Sequence, residues 1–150
     1  MSLPRTMQAV RAHHQGGPDQ LRLETVLVPL PGPGQVLIRV ESASVNFSDI
    51  KRRRGDAYPF PTALPFVPGG EVAGTVAALG EGVTQLAAGQ PVFALVGGDG
   101  QGGYAQYALA FAPQVNPLPP GLSADQACAL IIAGGTAMLL LKEAARLQPG

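Results

Sequence analysis

The sequence contains one cysteine, few aromatic residues and little charge, and each shortage excludes a class of protein. Because Cys128 has no partner in the chain, it can form no intramolecular disulfide and offers no cysteine cluster to a metal. The 10 basic and 10 acidic residues balance, so nothing in the charge attracts nucleic acid or an anionic membrane. The N-terminus shows no basic-plus-apolar targeting signal, which makes the cytoplasm the expected location.

Glycine and proline are abundant instead, at 20 and 15 residues. This composition approaches that of disordered chains, but alternating and β-branched apolar runs indicate many short strands joined by tight turns. With 150 residues the chain can bury one core, and we treat residues 1–150 as a single domain. The uncharged stretch from Ala127 to Leu141 is short for a membrane span and contains Gly134-Gly135, so we predict a buried helix there.

The order of the segments predicts a mainly β fold with helices at its edge. Hydrophobic alternation between turn residues predicts strands at Met7–Ala12, Leu21–Val28, Gln35–Val45, Glu71–Leu79, Pro91–Val96, Tyr104–Ala108 and Phe111–Pro117. Asn46 is a favoured cap for a short helix that ends at Gly55. Ser123 and Gln126 form a capping-box pattern before a helix, and a further helix is predicted from Thr136 to Arg146, stopped by the terminal Pro-Gly. Together these segments predict a partly open β-barrel with peripheral helices.

Two local patterns suggest nucleotide binding, but their context does not support it. Gly98, Gly100 and Gly103 spell the dinucleotide-binding pattern after a strand, yet a strand-like segment follows where a helix is required. We therefore reject a phosphate cradle and expect a flexible loop on the active-site side. Lys51–Arg54 is the only run of like charges, and we interpret it as the solvated end of a helix.

Three further side chains are assigned structural roles. Asp49 lies in the first turn of the short helix, where the helix dipole favours a carboxylate. Glu71 is expected to be a buried, paired carboxylate. Cys128 has apolar neighbours, which predicts an inert thiol.

Five segments, taken in order, resemble one protein family. They are PGPGQVLIRV (residues 31–40), SVNFSD (44–49), LPFVPGGEVAGTVAALGEGVTQLAAGQPV (64–92), GGYAQYALA (102–110) and GGTAMLLL (134–141). This order resembles the N-terminal GroES-like domain of the medium-chain dehydrogenases/reductases, in the zinc-independent quinone oxidoreductase branch related to zeta-crystallin. The resemblance implies a GroES-like, partly open β-barrel and a Rossmann domain that would follow Gly150.

The types of side chain at two positions argue against a metal. In zinc-binding members of the family, a cysteine and a histidine stand where this chain has Asn46 and Gly70. A catalytic zinc needs about three protein ligands, and Glu71 alone would remain to hold it. His13 and His14 lie beside a glycine-rich turn and are expected to be solvated. We therefore predict a protein without zinc.

Without a Lewis acid, hydride transfer needs a substrate in which conjugation spreads the developing negative charge. The resemblance therefore implies an oxidoreductase that reduces a quinone or an α,β-unsaturated carbonyl, with NADPH (or NADH) as the hydride donor. It implies Asn46 as a cofactor-site residue that fixes the carboxamide or donates to the substrate oxygen. Thr136 is implied as a second residue near the nicotinamide. The structural alternative for both is a helix cap, and no catalytic acid is assigned.

Two other functions stay open at this point. An enoyl-thioester reductase shares the zinc-free pattern, and a free-standing GroES-like binding or assembly module would need no nucleotide. In the leading hypothesis the partner is the small-molecule substrate and the full-length protein is a homodimer. This chain alone would be inactive, because it contains no valid dinucleotide fingerprint.

Overall fold

The computed structural model describes residues 3–56, 59, 62–98 and 101–148 of the chain. The strands and helices are β1 (Thr6–Ala12), β2 (Leu21–Leu27), β3 (Gln35–Ala43), α1 (Phe47–Arg54), β4 (Glu71–Leu79), β5 (Pro91–Leu95), β6 (Tyr107–Phe111), β7 (Val115–Pro117) and α2 (Ala124–Met138). Two short 3₁₀ turns (Pro18–Gln20 and Ala112–Gln114) precede β2 and β7, and a π-helical segment (Leu139–Ala144) continues α2. The predicted mainly β fold with peripheral helices is confirmed.

The strands form two antiparallel sheets. The larger sheet has five strands in the order β6-β3-β4-β5-β7, and the smaller sheet is the β1-β2 hairpin. The pairing of β3 with β4 shifts register between Val40 and Ser42, which bends the sheet toward a half-barrel. Gly74 lies opposite Val40 at this bend, where an added Cβ would come within 2.0 Å of the Arg39 carbonyl oxygen. The close approach of the two strands therefore requires glycine at this position.

The β1-β2 hairpin is bonded to the segments that flank the larger sheet. The backbone N–H of Val10 donates to the carbonyl oxygen of Tyr104 at 2.7 Å. Ala12 and Phe66 exchange two backbone hydrogen bonds of 2.9 and 3.1 Å. The hairpin therefore extends the curled sheet, but the hydrogen-bond ladder between the two sheets is not continuous. This arrangement is the partly open barrel that the sequence predicts.

Buried apolar side chains cover both faces of β3, an interior strand of the larger sheet. The main core contains Val36, Ile38, Val72, Val76, Val83, Leu86, Val92, Ala94, Ala108, Ala110, Ala112 and Val115. A second core under the hairpin contains Met7, Ala9, Val28, Leu37 and Val67. Because Leu37 and Ile38 are adjacent on one strand and both fully buried, their opposite-facing side chains must enter different cores.

The ends of several predicted strands are wrong. β6 begins at Tyr107, because the backbone N–H of Tyr104 donates to the carbonyl oxygen of Pro68 and not to β3. The last predicted strand is interrupted by a 3₁₀ turn that contains Pro113, which has no N–H to donate to a ladder. β3 stops at Ala43, before the polar cluster that opens α1.

One continuous helix replaces the two predicted late helices. The Ser123–Gln126 capping box is confirmed, with hydrogen bonds of 3.0 and 3.2 Å in the two directions. α2 then runs through Gly134-Gly135 into the π-helical segment. Each glycine costs a helix about 1 kcal/mol relative to alanine, but the flanking Ala, Leu and Met residues favour helix strongly enough to continue it. The predicted stop at Pro149-Gly150 lies outside the described residues.

Most of this helix is exposed, which corrects the prediction that it is buried. Ala127 and Cys128 are its buried residues, while exposed apolar side chains include Leu130, Met138, Leu139, Leu140 and Leu141. From Ala124 to Ala144 the helix has 21 residues and a mean hydropathy of 1.6, enough by length and composition to cross a membrane, and 11% of that window is buried. An apolar helix is expected to pack against other parts of the protein, but the described residues do not cover these side chains of α2.

Candidate functional site

The candidate site is built around the N-terminus of α1, where the chain leaves β3. Asn46 has an extended backbone at the N-cap position, and the carboxylate of Asp49 accepts a hydrogen bond from the Asn46 N–H at 2.9 Å. At the other end, Gly55 adopts a left-handed φ of +82° and donates its N–H to the Lys51 carbonyl oxygen at 3.0 Å. The predicted helix from Asn46 to Gly55 is confirmed.

Glu71, the first residue of β4, joins three parts of the site. Its side chain is buried, with 1% of the residue exposed. Oε1 accepts hydrogen bonds from Asn46 Nδ2, at 2.7 Å, and from Ser44 Oγ. Oε2 accepts from the backbone N–H of Ile132 in α2 at 2.6 Å. The prediction of a buried, paired carboxylate is confirmed, and this carboxylate ties α2 to the N-terminus of α1.

These contacts orient the side chain of Asn46. Its Nδ2 also donates to Ser44 Oγ at 3.0 Å, and this oxygen lies on the same side of the amide as Glu71 Oε1, to which it is itself hydrogen-bonded. These contacts fix the orientation of the amide, and the cofactor-site role of Asn46, through the carboxamide or as a donor to the substrate oxygen, stays a prediction.

Thr136, the second predicted cofactor residue, lies near the C-terminal end of α2 and is exposed. Its alternative role as the cap of a separate helix is wrong, because α2 continues through this position. Among the described residues, no hydrogen bond joins Thr136 to the Asn46 cluster. The structure therefore places the two predicted cofactor residues on different elements, α1 and α2.

An open cleft of about 720 Å³ lies beside α1. Its lining includes Ser48, Asp49, Arg52, Gly70, Gly97 and Ile132. At Gly70, an added Cβ would lie 3.1 Å from Ile132 Cδ1. The Ile132 side chain of α2 therefore borders the space that a side chain at position 70 would need.

Arg52 and Arg53 are buried, with 9% and 7% of each residue exposed, which corrects the predicted solvated helix end. Arg52 Nε donates to Thr62 Oγ1, and Nη1 donates to the carbonyl oxygen of Gly97, both at 3.2 Å. The guanidinium also lies 5.2 Å from the centroid of the Phe66 ring. These partners lie 10 to 45 residues away in sequence, so the run of positive charge at 51–54 could not predict that Arg52 is buried.

Asp49 connects α1 to the bend that carries Gly70. Its carboxylate accepts from the backbone N–H of Gly69 at 2.9 Å and from the hydroxyl of Tyr104 at 3.4 Å. Burial raises the pKa of Tyr104 well above its usual range, and the charge of Asp49 raises it further. The phenol therefore stays protonated and remains a donor to Asp49. Sequence reasoning missed these contacts, since the two partners are 20 and 55 residues from Asp49.

Cys128 lies under the site with its Sγ 3.7 Å from the carbonyl oxygens of Ser42 and Glu71. Burial, and to a smaller extent the charge of the Glu71 carboxylate, raises the pKa of the thiol.

We expect iodoacetamide to label Cys128 at least about tenfold more slowly in the folded protein than in guanidinium chloride, because both access and the thiolate fraction are reduced. Mass spectrometry of the time course gives the two rates. Equal rates would contradict an inert thiol.

The side chains present do not fit a zinc site. The amide nitrogen of Asn46 is committed to other partners, and Gly70 supplies no ligand. The described residues contain no group of three or more His, Cys, Asp or Glu side chains that could share a metal ion. His13 Nε2 lies 2.6 Å from Glu24 Oε1 on the hairpin, and His14 is exposed. The prediction that these histidines are accessible to solvent is confirmed.

The glycine-rich segment after β5 is not a phosphate cradle. β6 follows it where a helix would be needed, and Gly100 lies outside the described residues. Gly102 and Gly103 donate their N–H groups to the carbonyl oxygens of Val67 and Gly69, both at 2.9 Å. The rejection of the pattern is confirmed, and these two glycines hold the bend beside the cleft. The expected flexible loop lies partly outside the described residues.

Comparison with known proteins assigns this barrel and cleft to a family. Residues 32–120 match the alcohol dehydrogenase GroES-like domain. The quinone oxidoreductase of Mus musculus is 39% identical over 145 residues, which cover 96% of this chain and 43% of that protein. The chain thus spans less than half the length of this relative.

Solved structures agree with the sequence match. The human synaptic vesicle membrane protein VAT-1 homolog-like protein superposes with a TM-score of 0.89 at 33% identity, covering 97% of this chain and 46% of that one. A mycobacterial protein solved in complex with NADPH gives a TM-score of 0.85 at 35% identity, covering 96% and 43%. The fold is that of a GroES-like domain of the medium-chain dehydrogenases/reductases. The chain belongs to the alcohol dehydrogenase GroES-like domain family.

Proposed function

We propose that this chain is the substrate-side domain of an NADPH-dependent, zinc-independent oxidoreductase that transfers hydride to a quinone or an α,β-unsaturated carbonyl. The observation that carries the proposal is the cleft of about 720 Å³, which has the size of a small-molecule site. Gly70 lies in its lining and has no side chain that could bind a metal. The identity of 39% to a mouse quinone oxidoreductase supports this substrate class.

NADPH, when bound, supplies the hydride from its nicotinamide ring. Glu71 and Ser44 fix the amide of Asn46 at the N-terminus of α1. The amide oxygen of Asn46 is then the group that accepts a hydrogen bond from the nicotinamide carboxamide. The Thr136 hydroxyl on α2 supplies the second contact to the cofactor.

The exposed apolar side of α2 supports a second, nucleotide-binding domain in the full-length protein. Leu139, for example, is 63% exposed, and its apolar neighbours on this helix are similarly open. The chain covers 43% of the mouse relative, so that protein is long enough to contain a further domain. In this proposal a Rossmann domain covers the apolar side of α2 and binds the phosphates of the dinucleotide, for which the described residues provide no cradle.

The proposal is tested by NADPH oxidation in the full-length protein. We expect turnover with a quinone to be unchanged by prolonged treatment with EDTA, because no step depends on a bound Lewis acid. Ethanol oxidation with added zinc is expected to be absent. Loss of quinone reduction in EDTA, with recovery on adding zinc, would contradict the proposal. Faster turnover of a crotonyl thioester than of any quinone or enone would favour an enoyl-thioester reductase instead.

A further inference from the structure

One cationic side chain, that of Arg52, lines the cleft among the residues that the structure describes. Two of its donor nitrogens are fixed by Thr62 and Gly97, and its flat face rests near the Phe66 ring. A guanidinium has five N–H donors, so these two hydrogen bonds leave most of them unused. The group is therefore held in a defined orientation and still has hydrogen bonds to give.

The unused donors of Arg52 reach the cleft. Nη2 has no hydrogen-bond partner among the described residues, and none of their buried side-chain nitrogens or oxygens lacks one. The donors of Nη2 are therefore the ones that Arg52 still has for a molecule in the cleft that it lines.

The charge of Arg52 is not neutralised by an ion pair within residues 3–56, 59, 62–98 and 101–148. The carboxylate of Asp49, which precedes it by one helical turn, is directed at Gly69 and Tyr104 instead. A cation that is largely removed from water, and that forms no ion pair with the described residues, favours an anionic oxygen in the adjacent space.

We propose that Arg52 binds the substrate by donating a hydrogen bond from Nη2 to the carbonyl oxygen that gains negative charge during reduction. This inference rests on the proposed function. With an enone, hydride from NADPH forms a new C–H bond at the electron-poor β-carbon, and the conjugated π electrons move onto the carbonyl oxygen. With a quinone, the hydride forms an O–H bond at one carbonyl oxygen, and the π electrons move through the ring onto the other oxygen. The resulting enolate or hydroquinone anion then takes a proton from water, and NADP⁺ is released. Asn46 is not among the residues that line the cleft, and its Nδ2 already donates to Ser44 and Glu71.

Arg53 provides a matched control on the same helix. It is as deeply buried as Arg52, but its Nη1 donates to the carbonyl oxygen of Gly16 and it does not line the cleft. A methionine at either position keeps much of the side-chain length and removes the charge and the donors. The two substitutions therefore separate the loss of a buried arginine from the loss of a donor in the cleft.

The first test measures NADPH oxidation by the full-length protein with a quinone. We expect Arg52→Met to lower kcat about 100-fold, as expected when one donor to a developing oxyanion is removed, and to leave KM for NADPH unchanged. Arg52→Lys, which keeps the charge but not the fork of donors, is expected to recover part of the loss. Arg53→Met is expected to keep the kcat of the unmodified protein. Thermal unfolding of each variant confirms that the protein compared is folded.

The second test does not depend on turnover. 4-Nitrophenol, whose anion carries a delocalised oxygen charge, is titrated against the full-length protein with NADP⁺ present. We expect preferential binding of the phenolate by the unmodified protein and by Arg53→Met, and an affinity for the phenolate about tenfold lower in Arg52→Met. Unchanged phenolate affinity in Arg52→Met, or unchanged kcat, would overturn the role of Arg52. If phenolate binding requires Arg52 but no quinone or enone is reduced, the proposed function fails and the anion-binding role of Arg52 stands.

Discussion

Replacing Glu71 by alanine is expected to lower the free energy of unfolding by about 3–5 kcal/mol. The substitution leaves the Asn46 amide, the Ser44 hydroxyl and the backbone N–H of Ile132 without their shared acceptor. Each buried donor that loses its partner costs about 1–3 kcal/mol, and these costs overlap because the groups belong to one network. Urea unfolding followed by circular dichroism measures the change.

Glu71→Gln separates the charge and acceptor pattern from the shape of the side chain. The oxygen of the new glutamine amide can accept from Asn46 or from the Ile132 N–H, but its NH₂ group then faces the other donor. We therefore expect the free energy of unfolding to fall by a smaller amount, about 1–3 kcal/mol. Glu41→Gln is the control, because the side chain of Glu41 is 43% exposed and forms a surface pair with Arg39 at 3.4 Å. A loss at Glu71 no larger than at Glu41 would show that the buried network does not stabilise the fold.

Gly102→Ala is expected to destabilise the protein by about 3 kcal/mol and to reduce turnover of the full-length protein. A Cβ at this position would lie 2.3 Å from the carbonyl oxygen of Pro68 and 2.5 Å from that of Gly69. Both are backbone atoms, so the clash is relieved only by moving the bend that carries Gly70 to the cleft. Thermal unfolding and quinone-dependent NADPH oxidation measure the two effects.

Gly98→Ala is the matched control within the same glycine-rich segment. An added Cβ at Gly98 meets no atom within 4 Å, and its φ is not in the left-handed region. We expect its stability to change by no more than about 0.5 kcal/mol. Equal destabilisation at the two positions would mean that general stiffening of the segment, and not the contact with Pro68 and Gly69, causes the effect.

The parts of the fold that depend on local sequence were predictable. The helix from Asn46 to Gly55 is specified by a capping residue at one end and a left-handed glycine at the other. β3 follows from the alternation of apolar and polar residues, and β4 from the glycine turn that ends it. A buried carboxylate at Glu71 was also predictable, because this acidic residue begins a strand that has no other charged residue.

The rest depended on partners that lie far away in sequence. Nothing local shows that Arg52 reaches Gly97, or that the amide nitrogen of Asn46 donates to Ser44 and Glu71. The exposed helix α2 was mispredicted for the same reason, because composition measures how apolar a surface is and not what covers it. The prediction also treated Gly134 and Gly135 as the end of a helix, although the free-energy cost of two glycines is small beside the helix propensity of their neighbours.

The attachment of the N-terminal hairpin sets the order in which the chain can fold as it is synthesised. Gln8 donates its backbone N–H to the side chain of Gln106, which is 98 residues later in the sequence. The β1-β2 hairpin leaves the ribosome first, and an isolated two-stranded hairpin is at best marginally stable in water. Its partner Phe66 is translated earlier, but its bonds to Tyr104 and Gln106 can form only after the glycine-rich segment and the start of β6 have been translated. The barrel therefore closes late, and a ribosome that stalls before Gln106 holds a chain whose first apolar strands are only partly covered.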